Sequence, residues 1–480
     1  MTDLPNLLAA LRQIVGDAHV LTEGDLTAYE QDWRRRERGR ALAVVRPAST
    51  EQVAAVVKAC AAHRTAIVPQ GGNTGLVVGS IPDGTGTQVL LSLTRMNAIR
   101  AFDKDNLTFT VEAGCILQTL QEAAEREGYL FPLSLAAEGS CTIGGNLGTN
   151  AGGTQVVRYG NTRELCLGLE VVNAQGEVWN GLKGLRKDNT GYDLRNLMIG
   201  SEGTLGIITA ATMKLYPLPA SQLTAWAAVP SMEAAVELLG QAHLYLGAGL
   251  TGFEVMNRFA LTLVHKHMPQ LRVPFIDNED YPYAVVLENS DSESEEHARA
   301  RFEALMEAAF EQGCVMDAVV AENLSQAHNL WHIRESVPLA QAEEGLNIKH
   351  DISVPISRIP AFARHAEALL TQEIPGMRLV NFGHLGDGNL HFNVQAPEGA
   401  DGPTFLRERE YQVNHLVYDA VAEFGGSISA EHGIGALKAE TLPQYQSPVA
   451  LAMMHAIKQA LDPQGILNPQ CMLRRAAPAA

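Results

Sequence analysis

Apolar positions along the chain change their spacing at about Leu42, and the predicted elements change with them. Residues 1–40 carry a helical pattern that runs into the charged segment Trp33-Arg34-Arg35-Arg36-Glu37-Arg38. Beyond it, Ala43-Val44-Val45-Arg46-Pro47 reads as a strand, Glu51 to His63 as a helix capped by Ser49 or Thr50, and Ala66-Ile67-Val68-Pro69 as a second strand. Leu167 to Asn173, a turn at Gln175-Gly176 and Val178 predict a hairpin-like pair, and Asn196 to Thr209 a helix end, a glycine turn and an apolar strand. Tyr216-Pro217-Leu218-Pro219 then marks a domain boundary. Past that point Ser231 to Leu246 and Ser292 to Phe310 return to helical spacing, with Tyr283-Ala284-Val285-Val286-Leu287 extended between them and no internal repeat.

Length and charge narrow the classes. At 480 residues the chain exceeds one ordinary core, so two or three domains are expected. A hydrophobic content of 46% suits a globular protein, and no apolar run approaches the roughly 18 residues of a membrane span. The formal charge of −18 argues against nucleic acid or an anionic membrane as the main partner, while leaving room for a small anion in a local basic pocket. The arginine run at 34–38 reads as a solvated face in preference to an anion site. The opening Met1-Thr2-Asp3-Leu4-Pro5 lacks the basic segment of a signal peptide, and the six cysteines are scattered without Cys-x-x-Cys, so free thiols and a cytoplasmic location are expected. The tail Ala476 to Ala480 is of low complexity and expected to be disordered.

Two glycine-rich tracts suggest a large polar ligand. Gln70-Gly71-Gly72-Asn73-Thr74-Gly75-Leu76 follows the second strand, where residues without Cβ atoms let consecutive N–H groups turn toward an anion; an ordinary turn would also account for it. It matches neither Gly-x-Gly-x-x-Gly nor the lysine-bearing phosphate loop. The second tract, Glu138 to Gly153, is too poor in apolar side chains to pack a core by itself and suits close approach of backbone to a ligand.

The sharpest candidate chemistry lies at Asn381-Phe382-Gly383-His384-Leu385-Gly386-Asp387-Gly388-Asn389-Leu390-His391-Phe392-Asn393. A type I′ turn at Asp387-Gly388 would pair Gly386 with Asn389, Leu385 with Leu390 and His384 with His391, making the two imidazoles cross-strand neighbours with Cβ atoms about 5 Å apart and Asn393 on their face. Such a pair can grip a divalent cation, or be a polar pair on a sheet face. Ser429-Ala430-Glu431-His432-Gly433-Ile434-Gly435 adds a glycine-flanked carboxylate and a third imidazole, and two histidines with one carboxylate are a recurrent metal set. Elsewhere His328 and His332 stand i, i+4 on a predicted helix without the Glu of His-Glu-x-x-His, and His265 and His267 are expected at the surface. Arg334 and Lys349 read either as helix-surface cations or as a carboxylate anchor.

Taken together, the two glycine tracts, Asn196 to Thr209, the histidine hairpin and Glu431-His432 resemble the FAD-linked D-2-hydroxyacid dehydrogenases. These include D-lactate and D-2-hydroxyglutarate dehydrogenases and the glycolate oxidase FAD subunit, within the vanillyl-alcohol oxidase and p-cresol methylhydroxylase superfamily. The resemblance runs from about Ala43 to Leu473. It implies an α+β fold: an N-terminal helical segment at 1–40, a two-subdomain FAD-binding domain at 41–219, an antiparallel-sheet cap domain at 220–425, and a C-terminal helical segment at 426–475 that returns to the flavin domain.

For the cofactor, the resemblance implies that Pro69, Gly71, Gly72, Asn73, Thr74, Gly75 and Leu76 wrap the pyrophosphate. Ser140, Thr142, Gly145, Thr149 and Gly153 would line the flavin, Glu202, Gly206 and Ile207 would hold the adenosine and ribitol side, and Asn468 would lie near the ring. Some relatives attach FAD through a histidine in the first loop; Asn73 and Thr74 stand there, so the FAD should be non-covalent.

For the chemistry, His384, His391 and Glu431 would hold a divalent metal, zinc first, with manganese, iron or cobalt as alternatives. His432 would be the general base, Arg334 and Lys349 would anchor carboxylate, and Asn393 would bond substrate or support the metal. Pro338 stands four residues after Arg334, where D-2-hydroxyglutarate dehydrogenases carry Thr, which bears on a distal-carboxylate contact. The expected partners are a small anionic 2-hydroxy acid and a separate electron acceptor, such as electron-transfer flavoprotein, a quinone or a cytochrome; a homodimer is expected. Three alternatives stay open: an alkylglycerone-phosphate synthase-like flavin transferase, a flavin-free metal hydrolase using the same His/His/Glu set, and a non-catalytic flavoprotein or electron-relay subunit.

Overall fold

The computed structural model describes residues 4–473, so the expectation for Ala476 to Ala480 falls outside the described residues. The chain divides into two compact units, one from Met1–Gly152, Gly160–Pro217 and Glu431–Ala480, the other from Gly153–Tyr159 and Leu218–Ala430.

The first unit holds two larger sheets and the antiparallel pair Tyr129–Leu130 with Tyr216–Pro217. In one, Ala41–Val45, Gln88–Ser92 and Ile67–Gln70 run parallel, with Val20–Leu21 antiparallel on the outer edge. Parallel strands need a long crossover, supplied here by the helix Thr50–Ala62, whose N-cap Ser49 accepts the Gln52 N–H. That helix and Leu4–Val15 cover the sheet through Leu7, Leu11, Val53 and Val57, all fully buried, which is why these strands read as unbroken apolar runs. The second sheet is five-stranded and antiparallel, in the order Ile99–Asp103, Thr108–Glu112, Ile207–Lys214, Cys166–Val172, Val178–Gly181. The C-terminal segment belongs to this unit, and Leu467 bridges Ile67 in parallel.

Glu138 to Gly153 departs from the expectation of a tract without packing of its own. Ile143–Thr149 is a short helix capped by Thr142, with Ile143 and Leu147 buried. Glycine is a poor helix former, but tertiary packing decides here: a Cβ on Gly144 would lie 2.6 Å from that of Ala113, so only glycine lets the helix come this close.

The second unit is built on an eight-stranded antiparallel sheet. Its order is Asp317–Val320, Ser221–Val229, Tyr283–Asp291, Leu250–Asn257, Arg378–Gly383, Asn389–Gln395, Asn347–Ile348, with Asp351–Ser353 also paired to Asn389–Gln395. Helices Arg258–His267 and Leu324–Glu344 share a core with Trp226, Met256, Val286, Val380 and Phe382 from the sheet. Pro338 lies inside the second of these helices; it has no N–H, so the Arg334 carbonyl lacks its i+4 donor.

The hairpin register differs from the expected one. His391 is opposite Phe382, Phe392 opposite Asn381 and Asn393 opposite Val380, and the first strand ends at Gly383. His384 therefore leaves the ladder, and its carbonyl accepts the N–H groups of Gly388 and Asn389 at 3.1 and 3.2 Å across a five-residue loop. A type I′ turn requires positive φ at both central residues; only Gly388 has it, at +88°, while the Asp387 carboxylate accepts the Asn389 N–H in an Asx turn.

Candidate active site

A cleft in the first unit is lined by both glycine tracts. Pro69, Gly71, Gly72, Asn73, Thr74 and Gly75 form one wall, Thr142, Gly145, Asn146 and Thr149 another, with Glu202, Gly206, Ile207 and His432 completing it. The walls are close: a Cβ on Gly72 would stand 2.0 Å from the Ser140 carbonyl oxygen, and one on Gly71 2.3 Å from Thr142 Oγ1. Asn73, at φ +54°, turns its side-chain amide away to donate to the Gln31 and Ala28 carbonyls. Asn146 is 4% exposed and its Nδ2 has no hydrogen-bond partner within the protein, an orphaned donor of the kind a polar ligand satisfies. Asn146 was not among the residues of this tract expected to line the flavin, although its amide stands in the same run of small polar side chains.

Several expected cofactor residues do other work. Leu76 and Ser140 are not among the lining residues, and Gly153 belongs to the second unit. The Glu202 carboxylate accepts the backbone N–H groups of Ile434 and Gly435, each at 2.7 Å, and so fixes the turn that carries His432. Burial pushes its carboxyl up while those two N–H groups pull it down. Asn468 donates to the Gly79 and Glu202 carbonyls, tying the C-terminal segment to the cleft wall. His432 borders the cleft, its Nε2 3.7 Å from Glu431 Oε1.

In the second unit, His384 and His391 come together by a route other than direct cross-strand pairing. Their ring centroids are 5.6 Å apart, edge to face. His384 Nδ1 stands 2.6 Å from Glu254 Oε1, and Arg334 Nε donates to Glu254 Oε2 at 2.7 Å. Glu254 is fully buried; burial opposes its charge, yet the His384 imidazole and the Arg334 guanidinium hold its carboxyl below the usual range. Arg334, 6% exposed, stacks over the Phe382 ring at 5.0 Å, and its Nη2 has no partner within the protein. Arg334 is thus a buried, held cation, not a helix-surface one.

Asn393 Nδ2 donates to Gln341 Oε1 while its Oδ1 accepts the His350 N–H, so its amide braces this corner of the sheet. Lys349 is half-buried between strands Asn347–Ile348 and Asp351–Ser353. Asp351, opposite His391 in the ladder, is a buried carboxylate that sequence reasoning did not select. Glu254 was missed as well, although a lone carboxylate inside Thr251-Gly252-Phe253-Glu254-Val255-Met256 was a usable signal. His328 and His332 are exposed, as is His265, but His267 joins Lys266 and Arg378 around Glu344. All six cysteines are buried free thiols. Among the described residues no helix is long and apolar enough to cross a membrane.

Both units of the chain resemble known proteins. Residues 41–181 match the family described as FAD binding domain, and residues 218–471 that of FAD linked oxidases, C-terminal domain. D-2-hydroxyglutarate dehydrogenase of Xanthomonas citri pv. viticola is 41% identical over 470 residues, covering 98% of this chain and 97% of that protein. The mitochondrial D-2-hydroxyglutarate dehydrogenase of Arabidopsis thaliana is 38% identical over 463 residues, 96% of this chain and 80% of that one. Among solved structures, p-cresol methylhydroxylase with substrate bound superposes with a TM-score of 0.76 at 20% identity, covering 98% and 97% of the two chains. An alkyldihydroxyacetonephosphate synthase gives 0.73 at 17%, covering 97% and 84%, which is likeness of fold alone. The two matched families and the near-full-length relatives together make this chain a member of the FAD-dependent D-2-hydroxyacid dehydrogenases, and its α+β fold is like that of p-cresol methylhydroxylase.

Proposed function

We propose that the chain oxidises D-2-hydroxyglutarate to the 2-oxo acid with the help of a divalent metal, and passes the electrons to a separate acceptor. The substrate assignment is supported by the 38–41% identical relatives that bear that name. The observation that carries the metal and substrate reading is the Glu254 carboxylate shared by His384 Nδ1 and Arg334 Nε. A ligating histidine characteristically gives its other nitrogen to a carboxylate, which fixes the ring and its tautomer. The donor set of the sequence expectation, His384, His391 and Glu431, suits zinc, manganese, iron or cobalt, and a metal held there would polarise the substrate hydroxyl.

The orphaned Arg334 Nη2 would bond a substrate carboxylate, with Lys349 as a second cation and Asn393 as a further polar contact or support. His432, bordering the cleft, would take the hydroxyl proton on an imidazole nitrogen. When bound, FAD supplies the acceptor for the hydride leaving C2, a capacity no side chain has. The cradle at Asn73 and Thr74 offers no histidine for attachment, in keeping with non-covalent FAD. Pro338 favours a second reading, a monocarboxylate such as D-lactate, because no hydroxyl stands there for a distal carboxylate. A cytoplasmic location belongs to the same reading, with six free thiols in its support.

Anaerobic titration of the FAD-loaded protein with D- and L-forms of 2-hydroxyglutarate, lactate and malate, and with glycolate, with and without chelator, tests all of this. Bleaching of the flavin band by D-2-hydroxyglutarate, suppressed by chelation and restored by metal, is expected. Bleaching only by a monocarboxylate would overturn the substrate, and indifference to chelator would overturn the metal.

A further inference from the structure

Residues Gln31 to Arg38 form a small hairpin closed by a backbone bridge between those two residues. The Asp32 carboxylate, 4% exposed, pins it by accepting the N–H groups of Arg34, Arg36 and Glu37 at 2.9, 2.8 and 2.6 Å. Its base is bolted to the cofactor cleft: Asn73 donates to the Ala28 and Gln31 carbonyls, and Gln70 donates to that of Tyr29. Both donors line the cleft. At the tip Trp33 is 57% exposed beside exposed Arg35, Arg36 and Arg38. A run of charge that serves only solubility needs neither a backbone pinned by a buried carboxylate nor an exposed tryptophan; arginine and tryptophan are the side chains enriched at binding hot spots.

We propose that this hairpin is the docking surface for the redox protein that reoxidises the bound flavin, and that the partner presents an acidic patch to it. The inference rests on the flavin reading and names the class of acceptor. Each hydroxy acid oxidised gives up two electrons and two protons; the acceptor takes both electrons, together or in two encounters, and the protons it does not carry pass to solvent. A compact acidic patch can be steered to five arginines at 34, 35, 36, 38 and 40. An extended polyanion, bilayer or nucleic acid, would instead meet the field of a chain carrying −18.

The test separates the two half-reactions of the holoenzyme. Protein reduced by its hydroxy acid is mixed in a stopped-flow instrument with an acidic cytochrome of the b5 type, with basic cytochrome c, or with neutral benzoquinone. Arg35→Glu combined with Arg36→Glu should slow the acidic cytochrome about tenfold or more at low salt, with the difference shrinking as salt is added. Arg35→Lys with Arg36→Lys should retain the rate, and both reduction by hydroxy acid and oxidation by benzoquinone should stay unchanged. An unchanged rate with the acidic cytochrome overturns the proposal. So does an equal loss with benzoquinone, since the hairpin would then support the cofactor and no partner. Failure of the hydroxy acid to reduce the wild-type flavin would count against the substrate reading; dithionite-reduced protein would still test the hairpin.

Discussion

His384 Nδ1 and Glu254 Oε1 lie 2.6 Å apart in the second unit, and the same carboxylate holds Arg334 on its other oxygen. One buried group thereby orients both an imidazole and a guanidinium. Glu254→Gln keeps the shape and removes the charge, and loss of such a supporting carboxylate typically costs about 10–100-fold in metal affinity or activity. Titration of the metal-free variant with zinc, alongside turnover assays, measures this. Retention of wild-type affinity would mean that Glu254 serves Arg334 alone.

His384→Ala and His391→Ala should each abolish turnover while the protein stays yellow, because neither residue is among those lining the cofactor cleft. Flavin absorbance after gel filtration and steady-state rates separate the two properties. Full activity in metal-stripped wild-type protein would remove the metal from the reaction.

His432→Ala should lower the rate of flavin reduction by roughly 10²–10⁴-fold, the usual contribution of a positioned base. A loss below tenfold in single-turnover bleaching would assign proton removal to another group.

Gly72→Ala places a methyl group 2.0 Å from a backbone oxygen, where no side chain can rotate away. The expected product is folded protein purified without flavin, or with sharply weakened FAD binding, scored by absorbance and by fluorescence titration. Gly84→Ala, which meets nothing within 4 Å and stands outside the cleft lining, is the matched control and should bind normally.

Glu344 accepts from Lys266, His267 and Arg378. Burial opposes its charge, but those three donors and the Arg378 charge lower its carboxyl to about 2. Since the folded state lowers this pKa, its stabilising contribution is fully present above the ordinary glutamate value and is lost as pH falls from about 4.5 toward 2. Thermal melts of wild type and Glu344→Gln should therefore converge across that window, and parallel curves would discount the cluster.

The sequence by itself determined what local physics controls. Apolar runs bounded by caps and prolines placed Ala41–Val45, Thr50–Ala62 and Ile67–Gln70 within a residue or two, because period and capping are short-range properties. The glycine tracts announced a cleft for the same reason: absence of Cβ is visible in the chain itself. Tertiary structure decided the rest. The hairpin closes with Asp387 bonding Asn389 in place of a two-residue turn, and Asp-Gly is compatible with either geometry in the sequence. Glu254 lies far along the chain from both His384 and Arg334, and no periodicity announces such a partner. Only the pairing of Leu250–Asn257 with Tyr283–Asp291 and Arg378–Gly383 brings that carboxylate under the imidazole, where burial makes its bonds to His384 and Arg334 obligatory.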